Sequence, residues 1–344
     1  MQQPENTLPT SEHFQLERLA DGVYAAIDIE GQAAHSNAGI VDLGDRTLIF
    51  DAFLTPTAAE DLRAAAEHLT GRAATTVVNS HAHTDHCLGN QVFARMSSIR
   101  AQMSSIRARM SSIRAHTAII STHRTRETIA TEVANFVNQI RANPTELEQQ
   151  IAATQERLEK ESDAHRRAAL EISIGTMEHL LKSLPTLTLC VPNQTFDGKL
   201  VFHGTRRRAE LLTYGSGHTS SDCFLVLPEE RLAFAGDLAF FQSHPFMGTS
   251  DPQAWSEVLE RLEQSDIDTF VPGHGPVGTK ADIASVRQYV TALEQLAAQV
   301  VESGGSADDA ARQPIPAPFD AWSSGVLRFE RNMRFLHQRL SDQT

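Results

Sequence analysis

His81-Ala82-His83-Thr84-Asp85-His86 places four potential metal ligands in six positions. Nitrogen and carboxylate groups this dense cannot all enter an apolar core, where each unpaired polar group costs a few kcal/mol. Upstream, Ala74-Thr75-Thr76-Val77-Val78-Asn79 reads as a buried strand rich in β-branched residues. Downstream, Cys87-Leu88-Gly89-Asn90 leads into a helical pattern. The hexapeptide therefore belongs to the loop at the carboxyl end of a strand, where open α/β layers place their chemistry. With His81 and His83 on one face at period two, and Asp85 and His86 turned toward a second position, two adjacent metals is the natural reading.

On the N-terminal side, Gly22–Ile27, Ala38–Asp42 and Thr47–Asp51 read as strands of an antiparallel meander, and Thr55-Pro56-Thr57 opens a helix to about Leu69. On the C-terminal side a comparable half begins near Thr195. It has strands at Leu200–Phe202, Glu210–Thr213, Cys223–Leu227, Leu232–Ala235 and Thr269–Val271, and helices to about Gln264 and from Lys280 to Val301. Two such halves predict an α+β fold, a four-layer αββα sandwich. Between them, residues 124–184 carry apolar stripes on charged helices, interrupted near Asn143-Pro144, and predict an inserted helical hairpin. The division is then 1–123 for the first half, 124–184 for the insert, 185–310 for the second half and 311–344 for a helical extension. A seven-residue repeat starting at Met96, Met103 and Met110 reads as an in-frame duplication over 96–116.

Composition narrows the class. With 344 residues, 41% hydrophobic and 21% charged, the chain is that of a soluble globular protein. A formal charge of −13 argues against a nucleic-acid partner, which needs clustered Lys and Arg. Three separated cysteines and a polar N-terminus point to a reducing, cytoplasmic setting. No run approaches the ~18 apolar residues of a membrane span. The expected partner is a small-molecule substrate, with a homodimer through the insert as a further expectation.

Three later motifs extend the hexapeptide. Gly215-Ser216-Gly217-His218-Thr219, Ala235-Gly236-Asp237 and Pro272-Gly273-His274-Gly275-Pro276 each put one metal-capable residue at the end of an apolar run, with glycine allowing close backbone approach. Together with Asp51 and His81-x-His83-x-Asp85-His86, in this order, they make the chain resemble the metallo-β-lactamase-fold hydrolase superfamily. The resemblance implies that His81, His83 and His218 hold one metal, that Asp85, His86 and His274 hold a second, that Asp237 bridges them and that Asp51 orients ligands. Three imidazoles suit zinc, and the mixed set also admits iron or manganese.

Two cations about 3.5–4 Å apart lower the pKa of a shared water to about 7 and yield a hydroxide nucleophile, with Asp85 placed to take its proton. The expected activity is hydrolysis of a small ester, thioester, lactone or lactam by a dinuclear zinc centre. Against the family pattern, Asp237 stands where β-lactamases of this fold carry Cys or Ser, which directs the chain toward the glyoxalase II and lactonase branches. Phe240 stands where homoserine-lactone lactonases carry tyrosine. Phe240 and His244, on the segment after Asp237, are the candidate substrate contacts. Cys87 reads as a buried thiol and Arg206-Arg207-Arg208 as a charged hairpin turn. The alternatives are a di-iron redox enzyme on the same ligands, or β-lactamase-like activity as a side reaction.

Overall fold

The computed structural model describes residues 8–94, 117–322 and 325–342; the 96–116 repeat lies outside the described residues. The first sheet contains seven strands in the order β1 to β7. They are β1 (Phe14–Ala20), β2 (Val23–Asp28), β3 (Ala38–Asp42), β4 (Thr47–Phe50), β5 (Ala74–Val78), β6 (Ala118–Thr122) and β7 (Gln194–Phe196). The first four form the antiparallel meander, and β4 through β7 run parallel. The second sheet has the order β12-β11-β10-β9-β8. It comprises β8 (Lys199–His203), β9 (Arg208–Gly215), β10 (Asp222–Leu227), β11 (Leu232–Phe240) and β12 (Thr269–His274).

Three apolar layers hold this arrangement together. Between the sheets, Val23, Val41, Leu48 and Phe50 of the first meet Leu211, Leu225 and Phe234 of the second. Outside the first sheet, α1 (Pro56–Thr70) buries Ala58, Ala59 and Leu62 against Ile40, Ile49 and Val77. Thr55 caps α1 by accepting the Ala58 N–H, and Gly71 closes it in the left-handed conformation. Outside the second sheet lie α7 (Pro252–Glu263), α8 (Lys280–Glu302) and α10 (Val326–Ser341), whose Trp255, Leu259, Val290, Leu293 and Met333 pack over Phe224 and Phe270. The layers are therefore helix, sheet, sheet, helix, as the sequence predicts.

One strand departs from expectation. Gln194–Phe196, where the sequence suggests the second half begins, pairs with β6 and completes the first sheet. The chain leaves β6 into helices and returns beside it, so a parallel crossover, rather than a hairpin, decides its partner. Those helices are α3 (His123–Thr128), α4 (Ala134–Ala142), α5 (Pro144–Lys160) and α6 (Ala164–Ser183), with a π-helical turn at Ile129–Val133 joining α3 to α4. Thr122 caps α3 through the Thr125 N–H, and Asp163 caps α6 through the Arg166 N–H. Ile129, Val133, Val137, Leu147, Ile151 and Leu180 form a core of their own, joined to Leu54, Cys87 and Leu88 beneath the hexapeptide. The helices are thus seated directly on the loop that carries the ligands.

Among the described residues no helix is long and apolar enough to cross a membrane.

Candidate metal centre

The ligand candidates gather at one edge of the sandwich, Asp237 from inside a strand, where the sequence predicts a strand end, and the others from strand ends or the loops that follow them. His81 and His83 follow β5, and a single helical turn, α2 (Thr84–Cys87), turns Asp85 and His86 inward. His218 lies between β9 and β10, Asp237 within β11 and His274 at the end of β12. Asn37 ties the two halves at this edge by donating to the carbonyls of Pro272 (3.0 Å) and Gly275 (2.8 Å). Glycine makes the approach possible: a Cβ on Gly273 would collide with Asp237 Oδ1, and Gly236, at φ 54°, admits the Ser80 side chain.

Two donor sets result. One atom each from His81, His83, His218 and Asp237 lies within 4.8 Å of the others, and Asp85, His86 and His274 form a second such set. Asp237 faces both. Its Oδ2 is 3.2 Å from His218 Nε2 and 3.5 Å from His274 Nε2, while its Oδ1 is 3.1 Å from His86 Nε2. Asp85 Oδ2 lies 3.4 Å from His86 Nε2 and 3.3 Å from His274 Nε2.

The surrounding hydrogen bonds decide which nitrogens carry lone pairs. Asp51, at φ 63° just beyond β4, accepts from the Ser80 N–H on Oδ1 (2.8 Å) and from the Ser80 hydroxyl on Oδ2 (2.8 Å). Because that hydroxyl donates to a carboxylate, it accepts from His81 Nδ1, 2.9 Å away. Asp51 Oδ2 also accepts from His86 Nδ1 at 2.9 Å. Asp51 thereby aims the Nε2 lone pair of one histidine in each donor set. Similarly, Thr249 donates to the His218 carbonyl (3.3 Å) and accepts from His83 Nε2 (3.0 Å), which leaves the His83 Nδ1 lone pair to accept from His218 Nε2 at 3.0 Å.

Electrostatics follow from this crowding. Burial pushes the His81 and His83 imidazoles down, helped by His86 for the first and by His218 for the second, so that His83 falls to about 3. Burial opposes charge on His86 and His274 as well, but Asp237 and its neighbouring carboxylates overcome it, lifting His86 well above the usual range and His274 to about 9. Asp85 and Asp237 stay ionised in spite of burial because His86 and the other imidazoles surround them. Buried His81 Nε2, His86 Nε2 and Asp237 Oδ1 make no aligned hydrogen bond. Orphaned donor atoms that converge from two sides fit a pair of divalent cations, since buried polar atoms otherwise find partners.

A cavity of about 620 Å³ opens onto His83, Asp85, Asp237 and His274. Phe240 lines it and stacks on His274 with ring centroids 4.9 Å apart. His244 is not brought there. It is 0% exposed, held between the Tyr289 hydroxyl (3.1 Å) and the Trp322 carbonyl (3.1 Å), and enclosed by Phe329. The expectation that His244 overhangs substrate fails because the segment after β11 turns its imidazole under α10. Cys87 is a buried free thiol, as expected. Ser80, Thr249 and His35, whose ring meets that of His274 at 5.8 Å, touch the ligand candidates and were missed in the sequence reading. Ser80 directly precedes His81 and could have been noticed, whereas Thr249 and His35 have only tertiary proximity to mark them.

The profile of the Metallo-beta-lactamase superfamily matches residues 31–116 and 137–274. No protein of curated function matches the sequence. Among solved structures, a metallo-beta-lactamase from Pontibacter korlensis is similar at 15% identity over 81% of this chain and 99% of its own, with a TM-score of 0.52. The metallo-beta-lactamase FIM-1 from Pseudomonas aeruginosa, in its mono-zinc form, is similar at 14% identity over 83% and 98%, with a TM-score of 0.51. The sec-alkylsulfatase Pisa1 from Pseudomonas sp. is similar at 15% identity over 95% of this chain but only 50% of its own, with a TM-score of 0.65. At such identities the likeness is one of fold. The matched profile, spread over both halves and every strand-end motif, makes this chain a member of the metallo-beta-lactamase superfamily and a metal-dependent hydrolase.

Proposed function

We propose that the chain is a dinuclear zinc hydrolase acting on a small ester, thioester, lactone or lactam. In this reading His81, His83 and His218 hold one ion, Asp85, His86 and His274 hold the other, and Asp237 lies between them. The supporting observation is the convergence of buried donor atoms without a hydrogen-bond partner, His81 Nε2, His86 Nε2 and Asp237 Oδ1, inside two sets of His and Asp ligand atoms. Buried polar atoms otherwise find partners, so these atoms call for a cation among them, and the burial that pushes His81 and His83 down disfavours filling the space with extra protons on those two rings.

Bound there, two divalent cations supply an acidified water and polarise the scissile carbonyl. The chain's own groups do the rest. Asp85, ionised and open to the cavity, takes the proton of the attacking water on Oδ2. Water adds its hydroxyl to the acyl carbon, the bond to the leaving group breaks, and the proton passes to the departing oxygen, sulfur or nitrogen. Phe240 excludes water from one wall while fixing the His274 ring.

Metal analysis and a hydrolysis screen test the reading together. About two zinc ions per chain are expected, with turnover of at least one carbonyl substrate among esters, thioesters, lactones and β-lactams, and loss of that turnover in Asp85→Ala. An alkyl sulfate belongs in the same screen, because the similar structure spanning most of this chain is a sec-alkylsulfatase. A folded protein that takes up no metal, or full activity in Asp85→Ala, would overturn the reading.

A further inference from the structure

Three arginines reach the cavity from outside the donor sets. Arg124 lies in the first turn of α3, and Arg328 and Arg331 lie one turn apart on α10. Arg124 and Arg331 are exposed at the cavity mouth, and neither has a carboxylate partner among the described residues. Arg328 is half-buried and donates to the His244 carbonyl at 3.3 Å. It lines the same cavity as His274 and His35. Apart from the ligand carboxylates, Glu132 is the acidic residue on the cavity wall. Asp85 and Asp237 are matched by the imidazoles around them, which leaves three guanidinium groups against Glu132 on the cavity wall, a balance that favours an anionic ligand.

Apolar side chains line the same cavity. Val133 sits in the π-helical turn and Phe136 in the first turn of α4; Phe246 packs edge-on over His83 at 5.7 Å. Phe136 is 38% exposed, the large hydrophobic side chain left open to solvent among the described residues. A ring held open at the mouth of a cavity has apolar area to bury against a ligand. A guanidinium fork matches planar or tetrahedral oxyanions, and each such contact is charge-assisted.

We propose that the cavity takes an anionic amphiphile, with Arg124, Arg328 and Arg331 holding its oxyanion group and Val133, Phe136 and Phe246 receiving its hydrocarbon portion. The proposal deepens the hydrolase reading, on which it rests for the cavity being the substrate site. Carboxylate and sulfonate groups share the required chemistry, and separate probes distinguish them.

Calorimetric titration of the zinc-loaded chain with decanoate, 1-decanesulfonate and decyltrimethylammonium supplies the test, because it reads binding without turnover. At least one anion should bind and the cation should not. Arg328→Met/Arg331→Met should weaken the anion at least tenfold, whereas Arg328→Lys/Arg331→Lys, which keeps the charge, should weaken it less. Phe136→Ser should weaken 1-decanesulfonate more than 1-butanesulfonate. Thermal melting of each variant establishes that it folds. If neither anion binds the wild-type protein, or the Met variant binds as tightly as wild type, or the cation binds equally well, the proposal fails. Anion binding without any turnover would count against the hydrolase reading alone. Turnover of neutral esters without anion binding would count against this proposal alone.

Discussion

At the residue scale, Asp51 couples the two donor sets without entering either. It receives His86 directly and His81 through the Ser80 hydroxyl. Partners that fix the tautomer of a ligating histidine are typically worth 10–100-fold in metal affinity. Asp51→Ala should therefore weaken zinc binding by roughly that factor, measured by competition with a chromophoric chelator; an unchanged affinity would rule out the relay. Gly273→Ala tests the crowding directly, since its Cβ needs the space that Asp237 Oδ1 occupies. Displacement of that carboxylate should lower the metal content toward one ion per chain while the circular dichroism spectrum stays native. His244 predicts a pH effect on stability. Burial pushes it down to about 4, against an ordinary value near 6.5. Below pH 6.5 the unfolded chain binds a proton that the folded chain refuses until about pH 4, so stability present above 6.5 is lost as pH falls through that window. The full difference is about 3 kcal/mol. Urea unfolding of metal-free wild type and His244→Gln at pH 7 and pH 4.5 should show a smaller acid loss in the variant; equal losses would refute the assignment.

At the element scale, the helices between β6 and β7 form a cavity wall as well as a crossover. Thr122 ends β6 and caps α3, and its hydroxyl also meets those of Thr125 and Ser221 across the sheets. Removing the cap in Thr122→Ala should cost about 1 kcal/mol in urea unfolding. No loss would mean that packing alone holds the start of α3. The π-helical turn holds Ile129 and Val133 in the helical core, and Val133 also lines the cavity; such turns often mark functional positions. Sequence periodicity revealed that helices fill 124–184, since Leu147, Ile151 and Leu180 recur on buried faces. It did not reveal the π turn, because a single extra residue per turn barely disturbs an apolar stripe.

At the scale of the whole molecule, the site is a seam. One sheet supplies Asp51 and the hexapeptide just beyond its strands, and the other supplies His218 from the β9–β10 loop, Asp237 from within β11 and His274 from the end of β12. Ligands that bridge two sheets should link metal binding to global stability. With free zinc at roughly 1,000 times Kd, the contribution is about 4 kcal/mol. Chelation should therefore lower Tm by roughly 6 °C in differential scanning calorimetry, and restoring zinc should recover it; a Tm indifferent to chelator would show that the seam closes without metal.

Much of the site was legible in the sequence because its signals are local. His81-x-His83-x-Asp85-His86 is contiguous, and His218, Asp237 and His274 each stand beside glycine after an apolar run, so residue type and local pattern sufficed to nominate all seven. Alternating and helical periodicities likewise determined the layered α+β fold. Tertiary structure alone decided the rest. It gave Gln194–Phe196 to the first sheet through a parallel crossover. It sent His244 under α10 rather than over the cavity. It also gathered Arg124, Arg328 and Arg331, some 200 residues apart in the chain, around one opening. Periodicity specifies which face of an element is buried, whereas the meeting of side chains from distant elements depends on how the layers pack.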